Sequence, residues 1–430
     1  MVDYSEALSH LSPVYTRYTH IIPERAAGCY VYDQDGKPYL DFTCGIAVTN
    51  TGHCHPRVVE AIRAQAGLLL HGQVNILVHK PLLELIAELR LILPPSMDGF
   101  FFTNSGAEAV EGAVKLARMA TGRPNVIVFQ GSFHGRTVGA MSLTTSKTIY
   151  RAGYQPLMPG VFVAPFPYAY RYGWEPEHTS RWCLEELELL LASQTAPDET
   201  AALLVETVLG EGGYVVPPAS FLQGLRKMCD RYGMLLILDE IQSGMGRTGR
   251  WFAFEHFGVL PDIMTVAKGL ASGLPISGVF SRMELMQKWN MGSHGGTFGG
   301  NALSAAAAVA TIRAMRDEGM LENARQRGEQ LVAGLSHLQE EFPAIGDVRG
   351  LGLMVASEFR SAEGAPDKAT AKAVVHACQE RGLLLLTCGP WDNTLRWIPP
   401  LIVSESQVSQ ALDIFADSLV GAGLLNQRPG

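Results

Sequence analysis

No apolar run in this 430-residue chain approaches the roughly 18 residues that a membrane-spanning helix needs. The cleanest run, Met234 to Leu238, has the length of one strand. Basic excess is also missing. Lys and Arg number 34 against 42 Asp and Glu, a formal net charge of −8, which argues against a nucleic-acid-binding surface. No Cys-x-x-Cys pair occurs among the seven cysteines, scattered at 29, 44, 54, 183, 229, 378 and 388. Neither a disulfide framework nor a zinc ribbon is expected, and a reducing compartment, the cytoplasm, fits. The opening MVDYSEALSH has no basic n-region and no apolar h-region, so a secretory signal is not expected. Internal repeats, long linkers and low-complexity stretches are absent, as are the G-x-S-x-G elbow, the H-E-x-x-H helix and the P-loop.

Two motifs are superficially suggestive. Gly244-Met245-Gly246-Arg247-Thr248-Gly249 matches G-x-G-x-x-G, yet residues 239–243 separate it from the preceding strand-like run, an aromatic segment follows, and no acidic residue stands at the expected distance. A dinucleotide site is therefore not expected. His53-Cys54-His55 lacks partner ligands at zinc spacing, and no metal site is expected.

What is present is core. Apolar residues make up 47% and charged residues 18%, enough for a large buried interior. The 45 glycines and 24 prolines are spread among apolar segments, as in an enzyme with many turns. The middle of the chain alternates short apolar runs with helix-length segments. The runs are 100–102, 126–129, 203–205, 234–238, 263–267 and 277–280. Unbroken apolar runs are what strands buried on both faces look like, and intervening helices imply a mostly parallel sheet. Residues 55–320 are read as a large domain. The two ends, 1–54 and 321–430, are read as one smaller α+β domain, with helices at 321–341, 368–381 and 404–419 and strands at 351–357 and 383–387.

In such sheets ligands sit beyond the carboxyl ends of the strands. Four runs deliver polar groups there: Thr103-Asn104-Ser105, Glu206, Asp239 and Lys268. Ser105-x-x-Glu108 is a capping-box pattern, and a helix start after a buried strand offers free N–H groups and a positive dipole end to an anion. Gly106 lets the backbone approach closely. An ordinary capped helix would look the same. Asp239 and Lys268 lie 29 residues apart, one strand–helix–strand spacing. A lysine at the end of a buried strand is partly desolvated, which lowers its pKa and makes it a nucleophile toward carbonyls. A structural ion pair is the plain alternative. A cofactor with a phosphate, a pyridine nitrogen and a carbonyl uses all three groups, and that cofactor is pyridoxal 5′-phosphate. Phe133 could stack on its ring, although a lone Phe usually belongs to a core. Arg136 and Arg396 are candidate carboxylate clamps, although arginines usually lie on surfaces.

Taken together, residues 102–109, 133–137, 238–249, 267–269 and 295–301 resemble the class III (ornithine/4-aminobutyrate-type) aminotransferases. The resemblance runs from Leu40-Asp41-Phe42 to Leu395-Arg396-Trp397. It implies an α/β chain of pyridoxal-phosphate-dependent transferase fold type I (aspartate-aminotransferase-like), and a homodimer or dimer of dimers with active sites at the subunit interface. Lys268 would carry the cofactor and shuttle the proton, and Asp239 would pair with its ring nitrogen. Ser105, Gly106 and Ala107 would hold the phosphate, with Thr297 donated by the other subunit. Phe133 would stack on the ring, Gln242 would approach the ring hydroxyl, and His134 and Glu206 would also border the cofactor.

Within the family, Gly45-Ile46-Ala47-Val48, Gly210-Glu211-Gly212-Gly213 and Cys388-Gly389-Pro390, with both arginines, are most similar to 4-aminobutyrate aminotransferases. That likeness implies that an ω-amino acid places its carboxylate on Arg136 near Ile46 while Glu211 neutralises Arg396. With 2-oxoglutarate or glutamate, Glu211 would move aside and Arg396 would take the α-carboxylate. The expected small-molecule partners are thus an amine donor and a keto-acid acceptor, with neither nucleic acid nor membrane. The alternatives are an acetylornithine or ornithine aminotransferase, a racemase or aminomutase on the same fold, and an inactive binding module. Thr207, Leu209, Phe133 and Cys44 depart from the family pattern, at positions where Pro, Gln, Tyr and a small residue are more usual.

Overall fold

A computed structural model describes residues 4–424. Residues 1–3 and 425–430, which the expected smaller domain includes, lie outside the described residues. The central sheet has seven strands in the order Gly99–Thr103, Ser277–Ser281, Ile263–Val266, Leu235–Asp239, Thr200–Glu206, Asn125–Phe129, Val161–Ala164. Every pairing is parallel except the two made by Ser277–Ser281.

The apolar runs lack alternation because each face of the sheet has its own core. Val126, Val128, Ala202, Leu204, Ile237 and Ile263 join one buried cluster with the helix Gly106–Thr121. Their neighbours Ile127, Phe129, Leu203, Val205, Leu236, Leu238 and Met264 join another. Successive side chains point to opposite faces, so both sets must be apolar. The helices Pro176–Ser193 and Ala219–Tyr232 cover that second face, contributing Cys183, Leu187, Phe221, Leu222 and Leu225.

Two four-stranded sheets are built from the chain ends. In one, Pro23–Ala27, Tyr30–Asp33 and Pro38–Asp41 form an antiparallel meander, and Leu383–Leu384 adds in parallel beside Pro38–Asp41. In the other, Ile345–Leu351, Met354–Phe359, Thr394–Trp397 and Leu386–Cys388 pair antiparallel. The helices Met320–Glu341, Lys368–Glu380 and Glu405–Gly421 accompany it.

Two expectations here need correction. The run 351–357 is not one strand but parts of a hairpin that turns at Gly352-Leu353. Gly352 has φ +57°, and a Cβ there would stand 2.4 Å from the Thr248 backbone, so the turn needs glycine. The run 383–387 is also split. Leu383–Leu384 belongs to one small sheet and Leu386–Cys388 to the other. A one-residue break at Leu385 in an unbroken apolar run leaves no periodic trace.

Candidate active site

The carboxyl ends of the central strands open onto a cavity of about 370 Å³. Its walls include Ser105, Gly106, Ala107, Phe133, His134, Glu206, Asp239, Gln242 and Lys268. Val48, the last residue of the 45–48 motif, also lines it, as does Gly273-Leu274-Pro275-Ile276, which was not read from sequence.

Ser105 caps the helix Gly106–Thr121. Its Oγ accepts the Glu108 N–H at 3.3 Å, and Glu108 Oε2 accepts the Ser105 N–H at 3.2 Å. The first N–H groups of a helix have no intrahelical partner, so those of Gly106 and Ala107 are left for an anion. The cup is tight. A Cβ on Gly106 would lie 2.9 Å from Ile241 Cδ1. Gly135 has φ +132°, and a Cβ there would meet Ala107 Cβ at 2.7 Å.

Asp239 ends its strand almost fully buried. Its Oδ1 accepts the Ile241 N–H at 3.0 Å and the Thr265 hydroxyl at 3.1 Å. Its Oδ2 lies 2.8 Å from His134 Nδ1. A carboxylate only accepts, so Nδ1 carries the proton of that contact. The other ring nitrogen of His134, Nε2, is buried without a partner.

Lys268 follows the strand Ile263–Val266 with φ +42°. The left-handed region costs a non-glycine residue about 1–2 kcal/mol, and here it ends the strand at the cavity wall. Burial pushes the amine down from 10.5 to about 8, against the opposing pull of Glu206 and Asp239. Glu206 is itself buried and is pushed up to about 7 by desolvation. Its oxygens accept the Phe133 N–H at 2.7 Å and the Gly210 N–H at 2.8 Å. Gln242 accepts the Tyr214 hydroxyl at 2.7 Å.

The remaining residues lie outside the cavity lining. Arg396 Nη1 meets Glu211 Oε2 at 3.1 Å; burial pulls its guanidinium down, but the charge of Glu211 and its other neighbours outweighs this and holds it above the ordinary arginine value. Glu211 Oε1 also faces Lys147 Nζ at 2.9 Å and the Tyr150 hydroxyl at 3.1 Å. The Arg136 guanidinium lies over the Tyr150 ring at 4.8 Å, and that ring meets Phe133 edge-on at 5.3 Å. Tyr150 thus links one arginine to the partner of the other. Ile46 sits in the turn Cys44–Ala47, whose residues have φ of 50°, 60°, 65° and 62°. It packs against a buried cluster that includes Val208, Tyr214 and Ile398. Thr297 is exposed on the segment before Gly300 and does not reach this chain's cavity.

Sequence reasoning missed Lys147 and Tyr150. They fall in and before the three-residue turn Thr148–Tyr150, where no periodicity marks them. Of the departures, Thr207 is explained. Its hydroxyl donates to buried Glu240 at 2.8 Å, alongside Ser243, Ala253 and Phe254. Cys44 is buried near Thr49 and Arg247.

Pyridoxal 5′-phosphate fits these residues. The anion cup, the buried carboxylate, the depressed amine and the unpartnered His134 Nε2 all border a single cavity. Fold and site therefore define a pyridoxal-phosphate-dependent enzyme. The chain belongs to the class-III aminotransferase family, whose model matches residues 12–419. It is 40% identical to a 5-aminovalerate aminotransferase of Pseudomonas aeruginosa, over 92% of this chain and 93% of the relative. It is also 40% identical to a 4-aminobutyrate aminotransferase of Escherichia coli, over 92% of each chain. The crystal structure of an (S)-enantioselective omega-transaminase from Thermomicrobium roseum superposes with a TM-score of 0.91 at 31% identity, covering 98% of this chain and 99% of that one. Among the described residues no helix is long and apolar enough to cross a membrane, and no three His, Cys, Asp or Glu side chains gather as a metal site.

Proposed function

We propose that this aminotransferase moves the amino group of an ω-amino acid, 4-aminobutyrate foremost, to 2-oxoglutarate, giving a semialdehyde and glutamate. The observation that carries the reading is the pair of arginines joined through Tyr150 and Glu211, with Arg396 already neutralised by Glu211. An ω-amino acid has one carboxylate, far from its amine, and needs one arginine. A 2-oxo dicarboxylate needs two. A buried arginine without a counter-ion would cost several kcal/mol, so Glu211 fills that role when the substrate does not.

When bound, pyridoxal phosphate supplies the electron sink that lets a carbon beside nitrogen lose a proton. The chain's own residues do the rest. Gly106 and Ala107 N–H groups, with the Ser105 side chain and Thr297 from the other subunit, would hold its phosphate. Asp239, oriented by His134, would keep a proton on its ring nitrogen. Phe133 would stack on the ring, and Gln242 and Glu206 would border it. Lys268 Nζ, titrating near 8, is basic enough to take a proton from the substrate carbon and acidic enough to return it. Arg136, with Ile46 beside it, receives the distal carboxylate, and Arg396 the α-carboxylate once Glu211 yields.

The assembly in this proposal is a homodimer or dimer of dimers, since Thr297 lies outside its own chain's cavity. Residues 55–320 form the cofactor domain and the two ends one smaller domain, supported by the pairing of Leu383–Leu384 with Pro38–Asp41. A cytoplasmic location, with neither membrane nor nucleic acid as partner, agrees with the net charge of −8 and the free cysteines. The test is an amine-donor panel with 2-oxoglutarate as acceptor, read as glutamate formed. Fastest glutamate formation with 4-aminobutyrate or 5-aminovalerate supports the reading. Preference for acetylornithine or ornithine, or isomerisation without glutamate, overturns it.

A further inference from the structure

Glu211 has more partners than neutralising Arg396 requires. One oxygen serves Arg396 at 3.1 Å, while the other serves Lys147 at 2.9 Å and the Tyr150 hydroxyl at 3.1 Å. Lys147 is largely buried and is balanced on its far side by Asp392, which Lys368 also holds at 2.9 Å. The backbone around Glu211 is pinned. Gly389 donates its N–H to the Glu211 carbonyl at 2.8 Å, and Arg349 grips the Gly213 carbonyl at 2.6 Å. Only the side chain is left to move, and its second oxygen already rests on a cation.

We propose that Lys147 is a specificity-determining positioning residue: it keeps the Glu211 carboxylate paired when a second substrate carboxylate claims Arg396. The inference rests on the gating role proposed for Glu211. Without Lys147, a Glu211 displaced from Arg396 would be a largely buried carboxylate facing Asp392, and opening would be opposed by both desolvation and like-charge repulsion. With Lys147 present, Glu211 exchanges two cationic partners for one, and every charge in the cluster stays paired. Lys147 thereby favours two-carboxylate ligands and leaves one-carboxylate ligands, which do not move Glu211, nearly unaffected.

The test measures binding of two unreactive acids to the holoenzyme by calorimetry: glutarate, with two carboxylates, and valerate, with one. Lys147→Met should weaken glutarate about tenfold, within the range of coupling between charged neighbours, while valerate changes less than twofold. Lys147→Gln should behave like Lys147→Met, and Lys147→Arg should restore most of the glutarate affinity. Thermal melting and the cofactor absorbance confirm that each variant is folded and loaded. Equal losses for both acids, or no loss for either, overturn the role of Lys147. Glu211→Gln separates the two levels of argument. If it leaves the glutarate-to-valerate ratio unchanged, the gate itself is refuted. If it shifts the ratio while Lys147→Met does not, only the inference about Lys147 fails. In the Glu211→Gln background Lys147→Met should lose its selective effect.

Discussion

The depressed amine of Lys268 makes a quantitative prediction for the cofactor-free protein. Its titration near 8, against 10.5 for an ordinary lysine, follows from burial outweighing the carboxylates of Glu206 and Asp239. At pH 7.5 a group titrating at 8 is about 24% neutral, whereas one at 10.5 is about 0.1% neutral, roughly a 200-fold difference in free amine. The assay is reductive alkylation with formaldehyde and cyanoborohydride, small enough to enter the cavity. Mass spectrometry follows the peptide containing Lys268 and an unstructured lysine-containing peptide added as a standard. The Lys268 labelling rate should rise with an inflection near pH 8, while that of the standard, an ordinary lysine titrating at about 10.4, keeps rising past about pH 9.5. Glu206→Gln removes a carboxylate that favours the charged amine, so the Lys268 inflection should move below its wild-type position. Coincident profiles for Lys268 and the peptide standard, or an upward shift in Glu206→Gln, would refute the account of burial and charge at this site.

The same shift has a stability consequence. A depressed amine contributes stability that is present above 10.5 and lost as pH falls through 8, so at pH 6.5 the cofactor-free protein carries a penalty of about 3 kcal/mol. Lys268→Met should therefore be more stable than wild type at pH 6.5 in denaturant titrations of cofactor-free protein, and the gap should close near pH 10.5; a pH-independent gap contradicts this. Thr207→Val deprives buried Glu240 of one of its four donors and should cost about 1–2 kcal/mol in denaturant melts. Its transamination rate should stay within a factor of about two, because none of Thr207, Ser243, Ala253 and Phe254 lines the cavity. Arg136→Ala should reduce kcat/KM for 4-aminobutyrate about 100-fold, the size of a lost charge-assisted pair, and should alter use of a plain alkylamine far less; equal losses would reject Arg136 as a clamp.

Legibility in the sequence followed burial symmetry. Val126 to Phe129 and Leu203 to Val205 could be read as strands because both faces of the sheet are covered, which makes every position apolar. Chemistry at strand ends was equally visible: a single Glu, Asp or Lys closing an apolar run is conspicuous, and Glu206, Asp239 and Lys268 all reach the cavity. Where pairing partners are distant, local pattern says little. Residues 383–387 read as one strand, yet the partners of Leu383–Leu384 are residues 40–41 and those of Leu386–Cys388 are residues 394–396. Lys147 and Tyr150 were invisible for a related reason. Between two loops their charge and ring resemble ordinary surface, and only the fold places them against Glu211, 61 residues or more away. The Gly273 to Ile276 wall has the same character, being loop backbone brought beside the strand ends.

The placement of charge also dictates which way round a phosphorylated ring enters the proposed site. The chain is net acidic, and the cavity wall carries Glu206 and Asp239 beside Lys268. Among the described residues no arginine and no lysine other than Lys268 lines the wall, so the phosphate end is met chiefly by backbone N–H groups and a helix dipole. Reversing the cofactor would bring a dianion against Asp239. At about 4 Å and an effective dielectric near 20, each unit of like charge would cost about 4 kcal/mol, while a protonated ring nitrogen would face the positive end of the helix. Both terms oppose the reversed pose, so orientation does not depend on attachment at Lys268. Substitution of that lysine should therefore abolish the covalent link and leave phosphate-dependent binding of the cofactor in place, whereas Gly106→Val, which fills the cup from the side of Ile241, should remove the binding itself.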